Sequence, residues 1–346
     1  MYTPPTSTGG CAYSGVSSRL PERKCIPSLS QHLLNPQPRL LEAEFSIGIC
    51  AADHASNLKE LLKTVEIEPY PEGLVLKRIV IVASGLGPQD LEFVRESTDS
   101  QISLVLIEEP IRRGKAEAIN RIIESFSGQF LVLVNSDAHP EPGSIATLLR
   151  TISRDDQVGM VSASPVVGER AGVTGGVLQL MWGVHNECLL KLNEENRNNH
   201  CCDELIVVRS EALQKLPDNT VNDGAFLAGA AYRAGYSIIF CEAAQVKIDV
   251  PGTFYGLLEQ RRRILYGHFQ IHHTIGQTPR TTESMLVHNP RMSLSILCRT
   301  VAKSPRLALI LPVAVIGEAI SVAFAIGDNL TSSRKHVPWR RYGSQS

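Results

Sequence analysis

Residues 129–137 read Gln-Phe-Leu-Val-Leu-Val-Asn-Ser-Asp. Five consecutive apolar residues, Phe130 to Val134, carry no alternation of polar and apolar character. A strand of that kind is buried on both faces, as in a parallel sheet sandwiched between helices. It stops abruptly on three polar residues, and Asp137 there is costly to desolvate unless a charge, a hydrogen bond or a metal satisfies it. A hard divalent cation would accept its oxygen together with those of a diphosphate, so Asp137 is the expected metal ligand.

Working outward, FSIGIC (45–50), KRIVIVA (77–83) and ISLVLI (102–107) are similar strand-like runs. Helix-like stretches lie between them: ASNLKELLKTVE (55–66), PQDLEFVRE (88–96) and GKAEAINRIIESF (114–126). This alternation predicts an α/β fold, a mostly parallel central sheet with helices on both faces. Ligands of such sheets bind beyond the carboxyl ends of the strands, which singles out the residues after Cys50, Val82 and Val134. A second block continues the fold with strand-like VGMVSAS (158–164), ELIVVR (204–209) and SIIFC (237–241) around the helical VLQLMWGVHNECLLKLNEE (177–195).

The chain has 346 residues, is 43% hydrophobic and carries a formal net charge of -1, enough for one large core and without a field that would attract nucleic acid. Its eight cysteines are scattered, with no C-x-x-C, which fits a reducing compartment better than a disulfide framework or zinc site. The cluster His200-Cys201-Cys202-Asp203 reads as a buried thiol pair, because no second ligand pair accompanies it. Residues 1–40, rich in Pro, Ser, Thr and Gly, read as a disordered tail. The expected plan is then a core at 41–250 (halves 41–165 and 166–250), amphipathic interface helices at 251–304, a transmembrane or membrane-embedded helix at 305–328 and a basic tail at 329–346. The membrane expectation rests on LALILPVAVIGEAISVAFAIG (307–327), close to the ~20 apolar residues that cross a bilayer. Basic residues flank it on both sides, so orientation is not decided, and Glu318 inside it calls for a partner.

Several strand ends offer chemistry. Asp53 follows the first strand, and Ser56 or Asn57 can cap the next helix, but capping does not account for Asp53. Ser84-Gly85-Leu86-Gly87 follows the second strand, where a plain turn explains the glycines as well as a phosphate loop does. Arg112, Arg113 and Lys115 crowd the start of a helix, where cations oppose the helix dipole unless an anion such as a phosphate sits among them. Gln260 and Arg263 share a face of a later helix, while Arg261 and Arg262 point elsewhere, an arrangement suited to anionic lipid.

The ordered set resembles the family-2 glycosyltransferases of the GT-A, nucleotide-diphospho-sugar transferase fold. ICAADHASNL stands where those enzymes have an A-Y-N-E-E-x-N-I-like turn, IVIVASGLGPQD where they have V-V-D-D-G-S-x-D, and RRGKAEAIN where they have G-K-x-x-A-L-N. LVLVNSDAHPEPGSI matches their D-x-D strand end, NDGAFLAGAAYRAGYSI their E-D helix and EQRRRI their Q-x-x-R-W motif; the likeness covers roughly residues 45–270. It implies an inverting transfer of sugar from a nucleoside-diphosphate donor to a hydroxyl acceptor, with Asp223 as catalytic base. It further implies donor contacts from Asp53, Ser84, Arg113, Lys115 and Asn135, acceptor or diphosphate contacts from Gln260 and Arg263, and Mg²⁺ or Mn²⁺ on Asp137. With the apolar helix, it implies a catalytic domain at the cytoplasmic face of a membrane and an acceptor that is lipid-linked or part of a cell-envelope glycan.

The chain departs from the pattern at four points. Ala83 and Ser84 stand where relatives carry the acids that read the nucleotide base, Asn135 replaces the first acid of D-x-D, His54 replaces an acid, and Ile264 replaces the tryptophan that accompanies processive synthesis. The last favours transfer of single sugars. A binding-only protein of the same fold is the alternative these departures keep open. A pyrophosphorylase would want a glycine-rich phosphate loop after the first strand, and a glycoside hydrolase would want two carboxylates and no diphosphate site.

Overall fold

The computed structural model describes residues 43–52, 57–96, 102–168, 172–331 and 336, so the 1–40 tail, Asp53, His54 and nearly all of the basic tail lie outside the described residues. The first half follows the alternation of its sequence: β1 (Ala43–Ala52), α1 (Leu58–Ile67), β2 (Leu74–Ser84), α2 (Pro88–Glu96), β3 (Ser103–Glu109), α3 (Lys115–Ser125) and β4 (Phe130–Asn135). β5 (Ala138–Pro140) and α4 (Ser144–Ser153) lead to β6 (Val158–Val167) and the long α5 (Gly172–Glu194). β7 (Leu205–Arg209), α6 (Asp223–Arg233) and β8 (Ser237–Ile248) complete the sheet, and four helices follow: α7 (Phe254–Ile275), α8 (Thr282–His288), α9 (Pro290–Lys303) and α10 (Leu307–Leu330).

All eight strands join one sheet in the order β3-β2-β1-β4-β7-β6-β8-β5. β3, β2, β1 and β4 are mutually parallel, while β7 runs antiparallel to both β4 and β6. β6 and β8 are parallel and β5 closes the edge antiparallel to β8. The sheet is therefore mostly parallel, as the strand-helix alternation requires. The β4 run is buried throughout from Phe130 to Val134 because it lies in the middle of the sheet between β1 and β7.

Two apolar cores form on the two sheet faces. On one, Phe45, Ile47 and Ile49 of β1 and Val132 of β4 pack with Leu58 of α1 and Leu148 of α4. On the other, Leu131 and Leu133 pack with Ile119 and Ile122 of α3 and Phe226 of α6. The alternation of Cβ directions along a strand divides the two sets. Gly48 is required where α3 crosses β1: a Cβ there would come within 2.4 Å of Ile122. A third core, under α5, α8, α9 and α10, contains Leu189, Met285, Ile296 and Leu307.

Two expectations are corrected in this helical layer. Arg261 and Arg262 do not reach toward lipid, because carboxylates occupy both. Arg261 donates from Nη2 to Glu283 Oε1 (2.6 Å) and, through Nε and Nη2, to both oxygens of Glu318 at 3.0 and 2.9 Å. Arg262 forks onto Asp328 at 2.6 and 2.8 Å and also reaches Glu259. Glu318, the charge inside the apolar run, thus has a bidentate partner, the strong form of this pairing.

Candidate functional site

A cleft opens at the carboxyl ends of β1, β2 and β4 and the start of α3. It is lined by Cys50, Ala51, Ala52, Ser84, Arg112, Gly114, Lys115, Ala118 and the run Asn135, Ser136, Asp137. The strand ends singled out in the sequence converge there because parallel strands deliver their carboxyl ends to one edge. Gly114 caps α3 with φ 116°, a conformation that L side chains rarely adopt, and so turns the chain into the helix. Of the two neighbouring arginines, Arg112 lines the cleft and Arg113, expected to meet the donor, is exposed.

Lys115 stands at the first residue of α3, and its environment differs from the phosphate site expected of it. Its Nζ donates to Asp203 Oδ2 and lies equally close to Asp223 Oδ2, both at 2.8 Å. The anion that the crowded cations called for is thus, at this lysine, the protein's own. Asp223 is 6% exposed, at the first turn of α6, whose Asn222 caps the helix by accepting from the Ala225 amide. Asp203 precedes β7. Two glycines allow the approach: a Cβ on Gly224 would come within 2.4 Å of Asp203 Cβ, and one on Gly267 of α7 within 2.6 Å of Asn222 Cβ.

The electrostatics of this triad are unequal. Burial works against the Lys115 charge, but Asp203 and Asp223 outweigh it and hold the ammonium well above its usual range. Burial raises Asp223, Lys115 pulls it down and Asp203 pushes it up again, leaving it above the ordinary carboxylate value. Asp203 also suffers burial, yet its bond with Lys115 prevails and it ends below that value. One lysine charge is shared by two carboxylates, so the pair cannot both be fully compensated. Asp203 keeps the ion pair; Asp223 is the better proton acceptor. Sequence reading missed Asp203, since nothing in the run Cys201-Cys202-Asp203 signals that its carboxylate faces the start of α3, 88 residues earlier in the chain.

Ser84 is buried and donates to Glu109 Oε2 at 2.7 Å. Glu109, at the end of β3, also escaped the sequence reading; its Oε1 is buried without a hydrogen-bond partner. On the other side of the cleft, the Asn135 amide donates to the Glu204 carbonyl at 3.1 Å, and Glu204 Oε2 is likewise buried without a partner. Burial first, then Asp203, push the Glu204 carboxyl up to about 8, with a smaller contribution from Asp137. Asn135 and Asp137 both line the cleft, and side-chain oxygens are the ligands that Mg²⁺ and Mn²⁺ prefer. Among the described residues no three His, Cys, Asp or Glu converge to hold a metal alone, so a cation here would draw its remaining ligands from a bound diphosphate or water.

Gln260 and Arg263 lie on α7 and are not among the residues lining the cleft. Arg263 Nη2 donates to the Val221 carbonyl at 3.1 Å and Nε to that of His336 at 3.3 Å, which ties α7 to the segment leading into Asp223. Cys50 lines the cleft, but burial pushes its thiol up to about 12, and burial raises Cys201 and Cys202 well above the usual thiol value, so none of these is a thiolate nucleophile. Nor do the histidines near Cys202 complete a zinc site.

The model of the glycosyltransferase-like family 2 matches residues 43–267, from the first strand through the helix that carries Arg263. Among solved structures, the mannosyltransferase PcManGT from Pyrobaculum calidifontis, in complex with GDP-Man and Mn²⁺, is similar with a TM-score of 0.60 at 18% identity, covering 88% of this chain and 93% of its own. GalNAc-T7 with UDP, GalNAc and Mn²⁺ is a looser likeness, with a TM-score of 0.46 at 12% identity over 60% of this chain and 44% of its own. No curated protein sequence matches the chain. A family match running unbroken through every strand of the sheet, on a backbone that follows a known mannosyltransferase, makes this chain a member of the glycosyltransferase-like family 2, an enzyme of the GT-A fold.

Proposed function

We propose that the enzyme moves a single sugar from a nucleoside-diphosphate donor to a hydroxyl acceptor with inversion at the anomeric carbon. The observation that carries this is the buried carboxylate of Asp223, held at the first turn of α6 by Lys115, which itself lines the strand-end cleft. The acceptor hydroxyl gives its proton to Asp223 as its oxygen attacks the anomeric carbon. The bond from that carbon to the diphosphate oxygen breaks, and its electron pair leaves with the nucleoside diphosphate. A base works best when its proton affinity is raised toward the operating pH, and burial and Asp203 act on Asp223 in that direction.

The donor lies in the cleft with Ser84, Arg112 and Asn135 along it, and Asp53 is a further donor contact. The partnerless oxygen of Glu109 accepts from the base in place of the acids absent at Ala83 and Ser84. Asp137, with Asn135, would hold Mg²⁺ or Mn²⁺, whose charge would stabilise the departing diphosphate. Lys115 serves as the positioning residue of Asp223 rather than as a phosphate ligand. Arg263 and Gln260 shape the acceptor side of α6. The GDP-Man and Mn²⁺ bound by the mannosyltransferase of similar fold support the donor class and the metal. The acceptor is lipid-linked, a component of a cell-envelope glycan, and transfer takes place at the cytoplasmic face of a membrane. This part of the reading is supported by α10, an apolar helix that contains an 18-residue stretch with a mean hydropathy of 2.3.

The test is a thermal-shift screen of nucleoside-diphosphate sugars with Mn²⁺ and with EDTA, followed by a transfer assay on the donor that binds. Binding only the folded state raises the melting temperature. Stabilisation by one donor, lost in EDTA, with transfer to a lipid-linked hydroxyl, is the expected result. Equal donor affinity with and without the cation removes the metal role from Asp137. Donor binding without transfer to any acceptor makes this a binding-only member of the fold.

A further inference from the structure

The helix α10 has two faces of opposite character. Its inward stripe, Leu307, Ala314, Gly317, Ser321, Ala325 and Asp328, recurs every three or four residues after the first interval and is buried against α5 and α7. Small residues bring the backbones together: a Cβ on Gly317 would touch the Phe254 ring at 3.1 Å, and one on Gly176 of α5 would meet Ile310 at 2.9 Å. Ser321 Oγ donates to the Leu258 carbonyl at 3.3 Å. Both acidic side chains of the helix turn to this seam, Glu318 onto Arg261 and Asp328 onto Arg262. Outward, every exposed residue from Ala308 to Leu330 is apolar or glycine, with Leu309 at 83%, Ile316 at 60%, Phe324 at 54% and Leu330 at 80% exposure. A soluble monomer rarely presents an uninterrupted apolar face of this length.

Length and hydropathy alone would let this helix cross a bilayer, but its seam does not. From Gly317 to Asp328, about 16 Å at the helical rise, it is joined to α7. α7 carries Glu259, Gln260, Arg261, Arg262 and Arg263 in succession. If α10 spanned the membrane in this packing, it would draw those charges into hydrocarbon. If it parted from α7, Glu318 and Asp328 would enter hydrocarbon unpaired. Either is costly. Lying flat at the interface removes the conflict: the outer face enters the acyl region and the paired face stays with the protein. Arg299, Lys303 and Arg306, all exposed, stand on the approach to α10 at the level of the headgroups, although Lys303 also contacts Glu187. That charge suits anionic lipid.

We propose that α10 anchors the enzyme in the plane of an anionic bilayer surface, without crossing it. This rests on the membrane-associated reading above and gives it a geometry. The test uses the full chain with vesicles of phosphatidylcholine, with and without phosphatidylglycerol. Flotation should be stronger with the anionic lipid. Phe324→Glu and Ile316→Glu, on the exposed face, should each weaken it about ten-fold or more, with donor binding in solution unchanged. To fix the geometry, Ser304→Cys and Thr331→Cys variants bound to preformed vesicles are treated with an impermeant maleimide and read by peptide-resolved mass spectrometry. In-plane anchoring predicts that both ends label from outside as fully as they do in detergent. Protection of one end means that the helix spans, which overturns this proposal and leaves membrane association standing. Absence of flotation on either vesicle overturns both. A stable dimer that Phe324→Glu dissociates, with no vesicle binding, assigns the face to a second copy and overturns it as well.

Discussion

Two of the part-buried clusters among the described residues share a make-up, a single cation between two carboxylates, and behave in opposite ways. Lys115 sits between Asp203 and Asp223 beside the cleft; Arg261 sits between Glu283 and Glu318 in the helical layer. Burial acts against the charge in both. Around Arg261 it is overcome: the guanidinium, with the hydrogen bond from the Thr281 side chain, holds the Glu283 carboxyl at about 2. Around Lys115 it is overcome for Asp203 but not for Asp223. A guanidinium fork can satisfy two oxygens of Glu318 and still reach Glu283, whereas an ammonium is a point charge that two carboxylates must divide. The first arrangement staples α7, α8 and α10; the second leaves a carboxylate ready to take a proton.

That contrast can be broken by matched substitutions. The largest effect is expected from Asp223→Asn, which should lower kcat about 10³-fold while leaving donor affinity unchanged, because the amide cannot accept the hydroxyl proton. Glu283→Gln should instead lower the melting temperature and leave kcat of the folded enzyme nearly intact. If both variants lose transfer equally, the assignment of separate roles fails. Next, Arg261→Met should destabilise the fold by about 3–5 kcal/mol, since it leaves two carboxylates buried without a partner; chemical denaturation measures this.

Lys115→Met should reduce kcat about ten-fold at the pH optimum and move the acidic limb of the kcat profile to higher pH. The sign follows from its role: Lys115 lowers the Asp223 value, so its loss raises that value further and the base stays protonated over a wider range. An unmoved acidic limb would show that Asp223 is not the titrating base. A further effect concerns acid stability. His185, His200 and His268 meet edge to face in the helical layer, and burial holds His185 at about 3, His200 at about 4 and His268 well below the usual imidazole value of 6.5. These rings are neutral in the fold and take protons in the unfolded chain below pH 6.5. Their contribution is therefore complete above that pH and is lost as pH falls toward 4, by about 1.4 kcal/mol per pH unit for each imidazole. Melting curves between pH 7 and 4.5 check it, and His200→Gln should flatten the slope.

Local pattern was enough to read the parallel half-sheet, the convergence of strand ends on Asn135-Ser136-Asp137 and the helix that starts at Asp223. Strand runs and helix starts depend on residues a few positions apart, and that spacing is visible in one dimension. The long apolar run at 307–327 was equally plain, since hydropathy adds along a segment. The partner of each charge was not. Lys115 reads as a phosphate ligand until Asp203, 88 residues away, is folded against it, and Arg261 reads as a lipid contact until Glu318, 57 residues on, reaches it. Glu109 and Glu204 acquire meaning only from oxygens that the fold buries and leaves without a donor. The sequence alone determined which segments become strands and helices and where charge is available. The tertiary structure decided which charges neutralise one another and which remain for chemistry, because electrostatic interactions depend on distance and burial, and neither is a property of neighbours along the chain.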